Sequence, residues 1–383
     1  MKFNIARFIK LDLIKVLIAS TLITSCTTKN ENEIVVGHFG SMTGSEATFG
    51  LSTDEGIKMA FDEVNAAGGV KGKKLKLITM DDQGKAEEAA TVVTRLIEQK
   101  GVVALLGEVA STRSLAAAPI AQAKKIPMIT PSSTNPDVTK MGDYIFRTCF
   151  IDPFQGPVMA KFATESLKVK NVAILRDVKS DYSVGLANNF IEKFKALGGK
   201  IVADKSYQSQ DVDFNAQLNA LKTAKPDAIF IPGYYTEVGL IALQARNKAG
   251  ITVPLLGGDG WDSPKLSEIG QKAIDGSYFS NHFSNESKDP VAVEFINNFK
   301  KKFNKEPDGL SAAGYDAAMV LVEAMKASPD LNPTSIRNAI AAVKDYKGVT
   351  GNITIDADRN ASKSAVIVQV QGTINKYVTT VNP

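Results

Sequence analysis

Two short polar segments of the sequence, Ala110-Ser111-Thr112 and Ser132-Ser133-Thr134, could bind a small anion. Each combines hydroxyl side chains with backbone N–H groups, and Ser111 stands where an Ala-rich helix is predicted to begin. Hydroxyl donors, unpaired N–H groups and the positive end of a helix dipole together suit a carboxylate. The alternative interpretation is local, since serine and threonine also cap helices and shape turns.

Acidic and aromatic residues in the second half of the chain could hold the opposite charge. Asp181-Tyr182, Tyr234-Tyr235 and Asp259 each follow a predicted strand. A carboxylate would meet an ammonium group, and the rings would surround an apolar side chain, as Phe49 could also do from an earlier loop. With the hydroxyl segments, these residues predict a site for a zwitterion. A local role is again the alternative, because the tyrosines could merely end a strand and Asp259 could shape a glycine-rich turn.

The elements predicted around these residues are short buried strands that alternate with helices. Val102–Leu106 and Pro127–Thr130 are apolar runs with an Ala-rich helix between them. This alternation is typical of an α/β fold with a parallel sheet, in which ligands bind at the carboxyl ends of the strands. The pattern begins again after Asp152-Pro153. Gly351–Ile355 and Ser364–Val370 are late strands, expected to form a third crossing between the halves and a sheet edge.

We therefore expect two lobes with a ligand cleft between them. The first lobe would comprise residues 33–149 and 282–352, and the second residues 150–281 and 353–383. A chain of 383 residues is long enough to bury two such cores.

The N-terminus predicts export. Basic residues precede the apolar stretch Val16–Ile23, and small residues then lead to Cys26. The pattern is typical of a signal peptide and is too short to span a bilayer. We interpret residues 1–25 as a lipoprotein signal peptide, Cys26 as the lipidated residue and residues 26–32 as a tether, which would anchor an exported protein to a membrane in the periplasm or at the cell surface. The alternative is an ordinary signal peptide in which Cys26 is incidental.

Charge and cysteine content narrow the possible partners. The formal charge of +4 falls to about +1 once residues 1–25, with four basic and one acidic side chain, are removed. The remaining lysine clusters lack interleaved aromatic residues, so we expect no nucleic-acid partner. With Cys26 lipidated, Cys149 is the only other cysteine, which excludes an intramolecular disulfide and a cysteine-based metal site. We expect no cofactor and no metal.

Several segments jointly resemble a known family over nearly all of residues 33–370. They are Asn65-Ala66-Ala67-Gly68-Gly69-Val70, Ala110-Ser111-Thr112, Ser133-Thr134-Asn135-Pro136, Asp181-Tyr182, Gly233-Tyr234-Tyr235 and Ala313-Gly314-Tyr315. In these the chain resembles the type I periplasmic binding proteins of the branched-chain amino acid (Leu/Ile/Val) group. The resemblance implies two doubly wound Rossmann-like lobes joined by three crossover strands.

The resemblance also implies roles for individual residues. The ligand carboxylate would be held by Ser111, Ser133 and Thr134, with Thr112 in the same turn, and the ammonium by Asp259. The side-chain pocket would be lined by Phe49, Tyr182, Tyr234 and Tyr315. Two positions depart from the pattern, because Asp259 stands where the family often has Glu and Phe49 where some members have Trp.

One basic residue adjoins this predicted site. Arg113 lies next to the carboxylate-binding turn and could favour a more acidic ligand. We expect it instead to face solvent on its helix, the usual place for arginine.

The preferred functional hypothesis is a receptor that closes on an amino acid, aliphatic or branched-chain, and delivers it to the permease and ATPase subunits of an ABC importer. A ligand sensor without transport and an enzyme on the same fold are the alternatives. The sequence contains no G-x-S-x-G, P-loop, G-x-G-x-x-G or H-E-x-x-H motif. Its two histidines, His38 and His282, are interpreted as structural, so we predict that the protein is not an enzyme.

Overall fold

The structure is a computed structural model that describes residues 32–383. The predicted signal peptide and lipidated Cys26, with nearly all of the tether, lie outside the described residues. The described part alternates strands and helices as the sequence predicts, and its strands form two large sheets and one small sheet.

The first sheet contains five parallel strands in the order β2-β1-β3-β4-β5. The strands are β1 (Glu33–Gly40), β2 (Lys74–Asp81), β3 (Ala104–Leu106), β4 (Met128–Thr130) and β5 (Ile145–Arg147). The helices between them are α1 (Ala47–Ala66), α2 (Ala86–Lys100), α3 (Ser111–Ala123) and α4 (Asp137–Lys140). Alternate residues of β3 enter different cores, because Ala104 and Leu106 pack in one apolar cluster and Leu105 in another. Helices therefore cover both faces of this sheet.

The second sheet contains seven strands in the order β15-β14-β10-β9-β8-β6-β7. They are β6 (Asn171–Asp177), β7 (Lys200–Tyr207), β8 (Ala228–Phe230), β9 (Leu255–Gly257), β10 (Tyr278–Asn281), β14 (Ala365–Gln371) and β15 (Ile374–Val381). The helices are α5 (Asp152–Lys161), α6 (Asp181–Ala196), α7 (Asn215–Thr223), α8 (Tyr235–Asn247) and α9 (Pro264–Gly270). Strands β14 and β15 are antiparallel to their neighbours, whereas β6 to β10 are parallel.

Three further helices return to the first sheet after β10. They are α10 (Pro290–Phe303), α11 (Gly309–Ala327) and α12 (Pro333–Ala341). Leu321 of α11 and Ile340 of α12 share an apolar cluster with Val36 of β1 and Ile57 of α1. We call β1–β5 with α1–α4 and α10–α12 the first lobe, and the second sheet with α5–α9 the second lobe.

The chain crosses to the second lobe for the last time later than the sequence suggests. A small antiparallel sheet of β11 (Tyr346–Gly348), β12 (Gly351–Ile355) and β13 (Ala361–Ser362) precedes β14. Ile353, Ile355 and Ala361 belong to the apolar cluster of the first lobe. The crossing therefore lies between β13 and β14, beyond Gly351–Ile355 and the predicted lobe boundary at 352.

The edge of the second sheet also differs from the expectation. Strand β14 lies between β10 and β15, so β15 forms the edge. All eight side chains of β15 are exposed or half-buried, and without a buried face the segment lacks the apolar alternation that marks a strand. Among the described helices, none has both the length and the apolar character needed to cross a membrane.

Candidate ligand-binding cleft

The carboxyl ends of both sheets meet around one small cavity of about 10 Å³. The cavity is lined by Phe49, Val109, Ser132, Tyr182, Tyr234, Asp259, Gly260 and Leu310. Phe49, Val109 and Ser132 come from the first lobe, whereas Tyr182, Tyr234 and Asp259 come from the second. The structure therefore brings together four of the predicted site residues, Phe49, Tyr182, Tyr234 and Asp259.

Aromatic rings form the apolar wall of the cavity. Tyr182 and Tyr234 stack with their ring centroids 5.2 Å apart and their planes within 5°. Phe49 meets Tyr234 edge-on at 5.5 Å and Tyr235 at 5.0 Å. Burial raises the pKa of the Tyr182 and Tyr234 hydroxyls well above their ordinary value, so both are neutral. This wall therefore presents flat aromatic surfaces to the cavity, with the tyrosine hydroxyl groups at their edges.

Asp259 supplies a buried negative charge at this wall. It lies in a single helical turn (Asp259–Trp261) directly after β9 and is 5% exposed. Its Oδ1 accepts a hydrogen bond from Gln155 Nε2 at 2.7 Å. Its Oδ2 lies 3.0 Å from His282 Nε2 and 3.4 Å from Ser132 Oγ.

The partners of Asp259 do not neutralise it. Burial lowers the pKa of His282 below its ordinary value, so at neutral pH the imidazole is uncharged. Within residues 32–383, no lysine or arginine forms an ion pair with Asp259. A buried carboxylate without a cation is costly, and an ammonium group in the adjoining cavity would compensate it.

The predicted hydroxyl wall lies around the first turn of α3. Ser111 Oγ accepts from the backbone N–H of Asn135 at 3.2 Å, which leaves its O–H free to donate. Ser133 Oγ instead lies 2.9 Å from the carbonyl oxygens of both Glu108 and Val109, which compete for its single proton. Thr134 is fully buried beside the Asp152 carboxyl group. None of Ser111, Ser133 and Thr134 is among the residues that line the cavity.

Thr112 links the lobes instead of lining the cavity. Its Oγ1 accepts from the backbone N–H of Asp181 at 3.0 Å. Asn135 Nδ2 donates to the carbonyl oxygen of the same Asp181, also at 3.0 Å. The Asp181 side chain itself is exposed. Because these contacts join Thr112 of α3 and Asn135, which precedes α4, to the start of α6 across the cleft, the structure represents a closed arrangement of the lobes.

Tyr315 lies away from the cavity. Its hydroxyl donates to Glu63 Oε2 at 2.6 Å, and its ring packs on Phe295 with centroids 5.1 Å apart. It therefore contributes to the packing of α1, α10 and α11. Leu310, in the first turn of α11, lines the cavity in its place. A short sequence motif does not show which turn of a helix reaches a site. Here the first turn of α11, with Leu310, reaches the cavity, and the turn with Tyr315 does not.

The expectation that Arg113 faces solvent is wrong. The side chain is buried, with Nη1 3.2 Å from Glu46 Oε2 and Nε 3.2 Å from Glu108 Oε1. These carboxylates raise the pKa of Arg113 further above its ordinary range. Two acidic partners explain the burial, because a paired guanidinium can be withdrawn from water. A separate cavity of about 120 Å³ lies between this ion pair and Tyr234.

Sequence reasoning missed several residues that line or support the cleft. Val109 and Leu310 line it, while Gln155 and His282 bind Asp259. Val109 immediately precedes the predicted carboxylate turn, which is a weak signal. No sequence signal pointed to Gln155 or His282, because their contacts with Asp259 span 104 and 23 residues of the chain.

Comparison with known proteins agrees with this geometry. A family model described as Periplasmic binding protein matches residues 33–375. The leucine-, isoleucine-, valine-, threonine- and alanine-binding protein of Pseudomonas aeruginosa is 31% identical, covering 83% of this chain and 84% of that protein.

Two solved structures are also similar. A leucine binding protein, LivK, from Thermotoga maritima has a TM-score of 0.88 and 42% identity, covering 91% of this chain and 99% of that one. LivJ, a branched-chain amino acid transporter substrate binding protein from Streptococcus pneumoniae, solved with isoleucine, has a TM-score of 0.86 and 35% identity over 92% and 100% of the two chains.

These matches confirm the predicted two-lobed α/β fold and the prediction of a binding protein instead of an enzyme. The family model spans nearly the whole described chain, and the relatives are named as amino acid binding proteins, one of them as the substrate binding protein of a branched-chain amino acid transporter. The chain belongs to the type I periplasmic binding proteins, in the branched-chain amino acid group.

Proposed function

We propose that this protein is an extracytoplasmic receptor that closes on an aliphatic amino acid and presents it to an ABC importer. The observation that carries the proposal is Asp259, a buried carboxylate at the end of β9 that has no lysine or arginine partner among residues 32–383. It faces a cavity whose other wall contains Ser132 and lies near the first turn of α3. An ammonium at Asp259 and a carboxylate near Ser111 and Thr134 would satisfy both ends of an amino acid.

The pocket walls favour a compact apolar side chain. Phe49, Val109, Leu310 and the tyrosine pair provide mostly apolar surface, with no cationic group in the lining. Asp259 stands where the family often has Glu, which is one methylene longer. The relatives named above bind leucine, isoleucine, valine, threonine or alanine, which supports the same ligand class here.

Calorimetry with matched ligands tests this proposal. L-leucine, L-isoleucine and L-valine should bind. The 2-oxo acid of leucine, which lacks the ammonium, and 3-methylbutylamine, which lacks the carboxylate, should each bind at least about a hundredfold more weakly, because each leaves a charged group of the site unpaired. Equal affinity for leucine and its 2-oxo acid would contradict the role of Asp259 and the amino-acid proposal.

Delivery to an importer is a separate step of the proposal. A strain that lacks this protein should lose high-affinity uptake of radiolabelled leucine and regain it when the gene is restored. Unchanged uptake in a strain that still produces the permease would favour a sensor.

A further inference from the structure

His282 directly follows β10, where the chain returns from the second lobe to the first, and is 2% exposed. We call this place the second crossing. Its Nε2 is 3.0 Å from Asp259 Oδ2 and 3.2 Å from Ser132 Oγ. Its Nδ1 has no hydrogen-bond partner within the described part of the chain. A neutral imidazole carries one proton, and only Nε2 has a strong acceptor for it. The ring therefore donates Nε2–H to Asp259.

Packing fixes the orientation of this ring. Phe150 lies between β5 and α5, where the chain first crosses from the first lobe to the second. Its ring packs against the His282 ring, with centroids 4.1 Å apart and planes 30° apart. Gln155 holds the other oxygen of the Asp259 carboxylate at 2.7 Å. Gln155 and His282, which belong to different segments, thus each hold one oxygen of the Asp259 carboxylate. The direction in which the carboxylate presents its lone pairs is therefore set by residues outside its own turn.

We infer that His282 is a positioning residue of the cleft, whose Nε2–H orients Asp259 toward the ligand and whose protonation in mild acid weakens ligand binding. The inference rests on the proposed function, because it concerns the amino-acid ammonium at Asp259. Through His282, the second crossing would then contact the carboxylate that binds the charged amino group of the ligand.

The charged groups around His282 give the sign of the pH effect. Asp259 favours the protonated imidazole, whereas burial and the buried Lys363, from the segment between β13 and β14, oppose it. Asp152, at the start of α5, has a pKa raised to about 8 by burial, and Cys149 one raised to about 12, so both are neutral in mild acid.

A bound ammonium adds positive charge beside the carboxylate that His282 contacts. Ligand binding and protonation of His282 therefore oppose each other, so the pKa of His282 is lower in the complex than in the free protein. By linkage, affinity is complete above the pKa of the free protein and falls as the pH decreases through it.

Three substitutions separate positioning from packing. In His282→Gln the amide nitrogen can reach the place of Nε2, whereas in His282→Asn it reaches only that of Nδ1, and His282→Leu has no donor. At neutral pH, we expect the Gln variant to bind leucine within about threefold of wild type and the Asn and Leu variants to lose about tenfold or more. Full affinity in the Leu variant, or equal loss in all three, would overturn the inference.

The pH profile provides a readout that simple loss of packing would not produce. Between about pH 7.5 and pH 4.5, the wild type should lose about tenfold more affinity than His282→Gln, which has no titrating ring. His38→Gln is the matched control, because His38 pairs with Asp54 at 3.1 Å within the first lobe, and it should keep the wild-type profile. Parallel profiles for wild type and His282→Gln would overturn the pH effect.

Imidazole NMR of the ligand-free protein distinguishes this inference from the proposed function. The His282 signals, assigned by their loss in His282→Gln, should report the neutral Nε2–H tautomer near pH 7.5. A proton on Nδ1 would refute the positioning role even if amino acids bind. Conversely, a wild-type protein that binds no amino acid but shows the Nε2–H tautomer would refute the proposed function and keep the His282–Asp259 contact.

Discussion

At the scale of single residues, the cleft is organised by one carboxylate that the fold withdraws from water. Within the described part of the chain, the hydrogen-bond partners of Asp259 are the neutral side chains of Gln155, His282 and Ser132. Such donors orient a carboxylate but do not cancel its charge, which is why an ammonium ligand would bind strongly there. The sequence identified Asp259 from its position after a strand, and the structure adds that it is buried.

Replacing Asp259 tests that role directly. We expect Asp259→Ala to lose about 2–5 kcal/mol of binding free energy, roughly 30- to several-thousand-fold in affinity, because the ammonium would lose its buried partner. The melting temperature of the ligand-free protein should change little, since the variant removes an uncompensated charge along with its hydrogen bonds. Asp181→Ala is the control, because that side chain is exposed, and it should retain affinity. Wild-type affinity in Asp259→Ala would place the ammonium elsewhere.

The predicted membrane attachment would also depend on one residue, Cys26. The residues before it fit a lipoprotein signal and those after it are polar. We expect Cys26→Ala to lose incorporation of a labelled fatty acid and to leave the membrane fraction. Cys149→Ala serves as the control because Cys149 is fully buried, and it should stay acylated. Label retained in Cys26→Ala would refute the assignment.

At the scale of elements, the ends of neighbouring strands bring acidic residues into close contact. Asp82 follows β2 and Glu108 follows β3, and both contact the Ser41 hydroxyl, at 3.1 and 2.9 Å. Burial and the nearby Glu108 carboxylate raise the pKa of Asp82 to about 8, although Arg113 partly opposes this. The parallel order of β2, β1 and β3 produces this convergence, which the separate sequence positions do not reveal.

This cluster predicts how stability depends on pH. The pKa of Asp82 is higher in the folded protein than the ordinary 3.8 expected when unfolded, so its contribution is complete below that value and is lost as the pH rises toward about 8. Asp82→Asn should therefore raise the melting temperature by several degrees near pH 8 and by much less near pH 5. Differential scanning calorimetry at both pH values measures the difference.

Asp81→Asn is the matched control for that experiment. Asp81 accepts hydrogen bonds from the backbone N–H groups of Met42 and Gln83, at 2.9 and 2.8 Å. These bonds lower its pKa, so the Asn variant should show no stabilisation near pH 8. Equal melting curves for wild type and Asp82→Asn near pH 8 would contradict the argument.

At the scale of the whole molecule, contacts across the cleft describe a closed state. Thr48 Oγ1 lies 2.9 Å from Ser263 Oγ, and Thr236 Oγ1 donates to the carbonyl oxygen of Ser45 at 2.6 Å. Each of these groups could exchange its partner for water when the cleft opens. The crossings near Thr148–Pro153, at His282 and between β13 and β14 would then serve as hinges.

Closure predicts a change of size in solution. Small-angle scattering should give a smaller radius of gyration with saturating leucine than without it, because ligand contacts on both walls stabilise the closed state. Asp259→Ala at the same leucine concentration should keep the larger radius. An unchanged radius in the wild type, under conditions where calorimetry shows binding, would refute closure.

The sequence by itself determined the α/β class, the positions of most strands and half of the residues that line the cavity. Short apolar runs, helical periodicity and polar strand ends are local signals, and parallel sheets place such ends at one edge. The helical face of Ile57, Phe61 and Val64 is buried as its spacing indicates.

Only the tertiary structure decided which side chains act together. The burial of Arg113 depends on Glu46 and Glu108, the placement of Leu310 instead of Tyr315 depends on how α11 packs on α1, and the contact between His282 and Asp259 depends on where a crossing passes the cleft. Each is an interaction between segments distant in the chain. Local propensity carries no information about such partners, because their proximity arises only when the lobes pack and close.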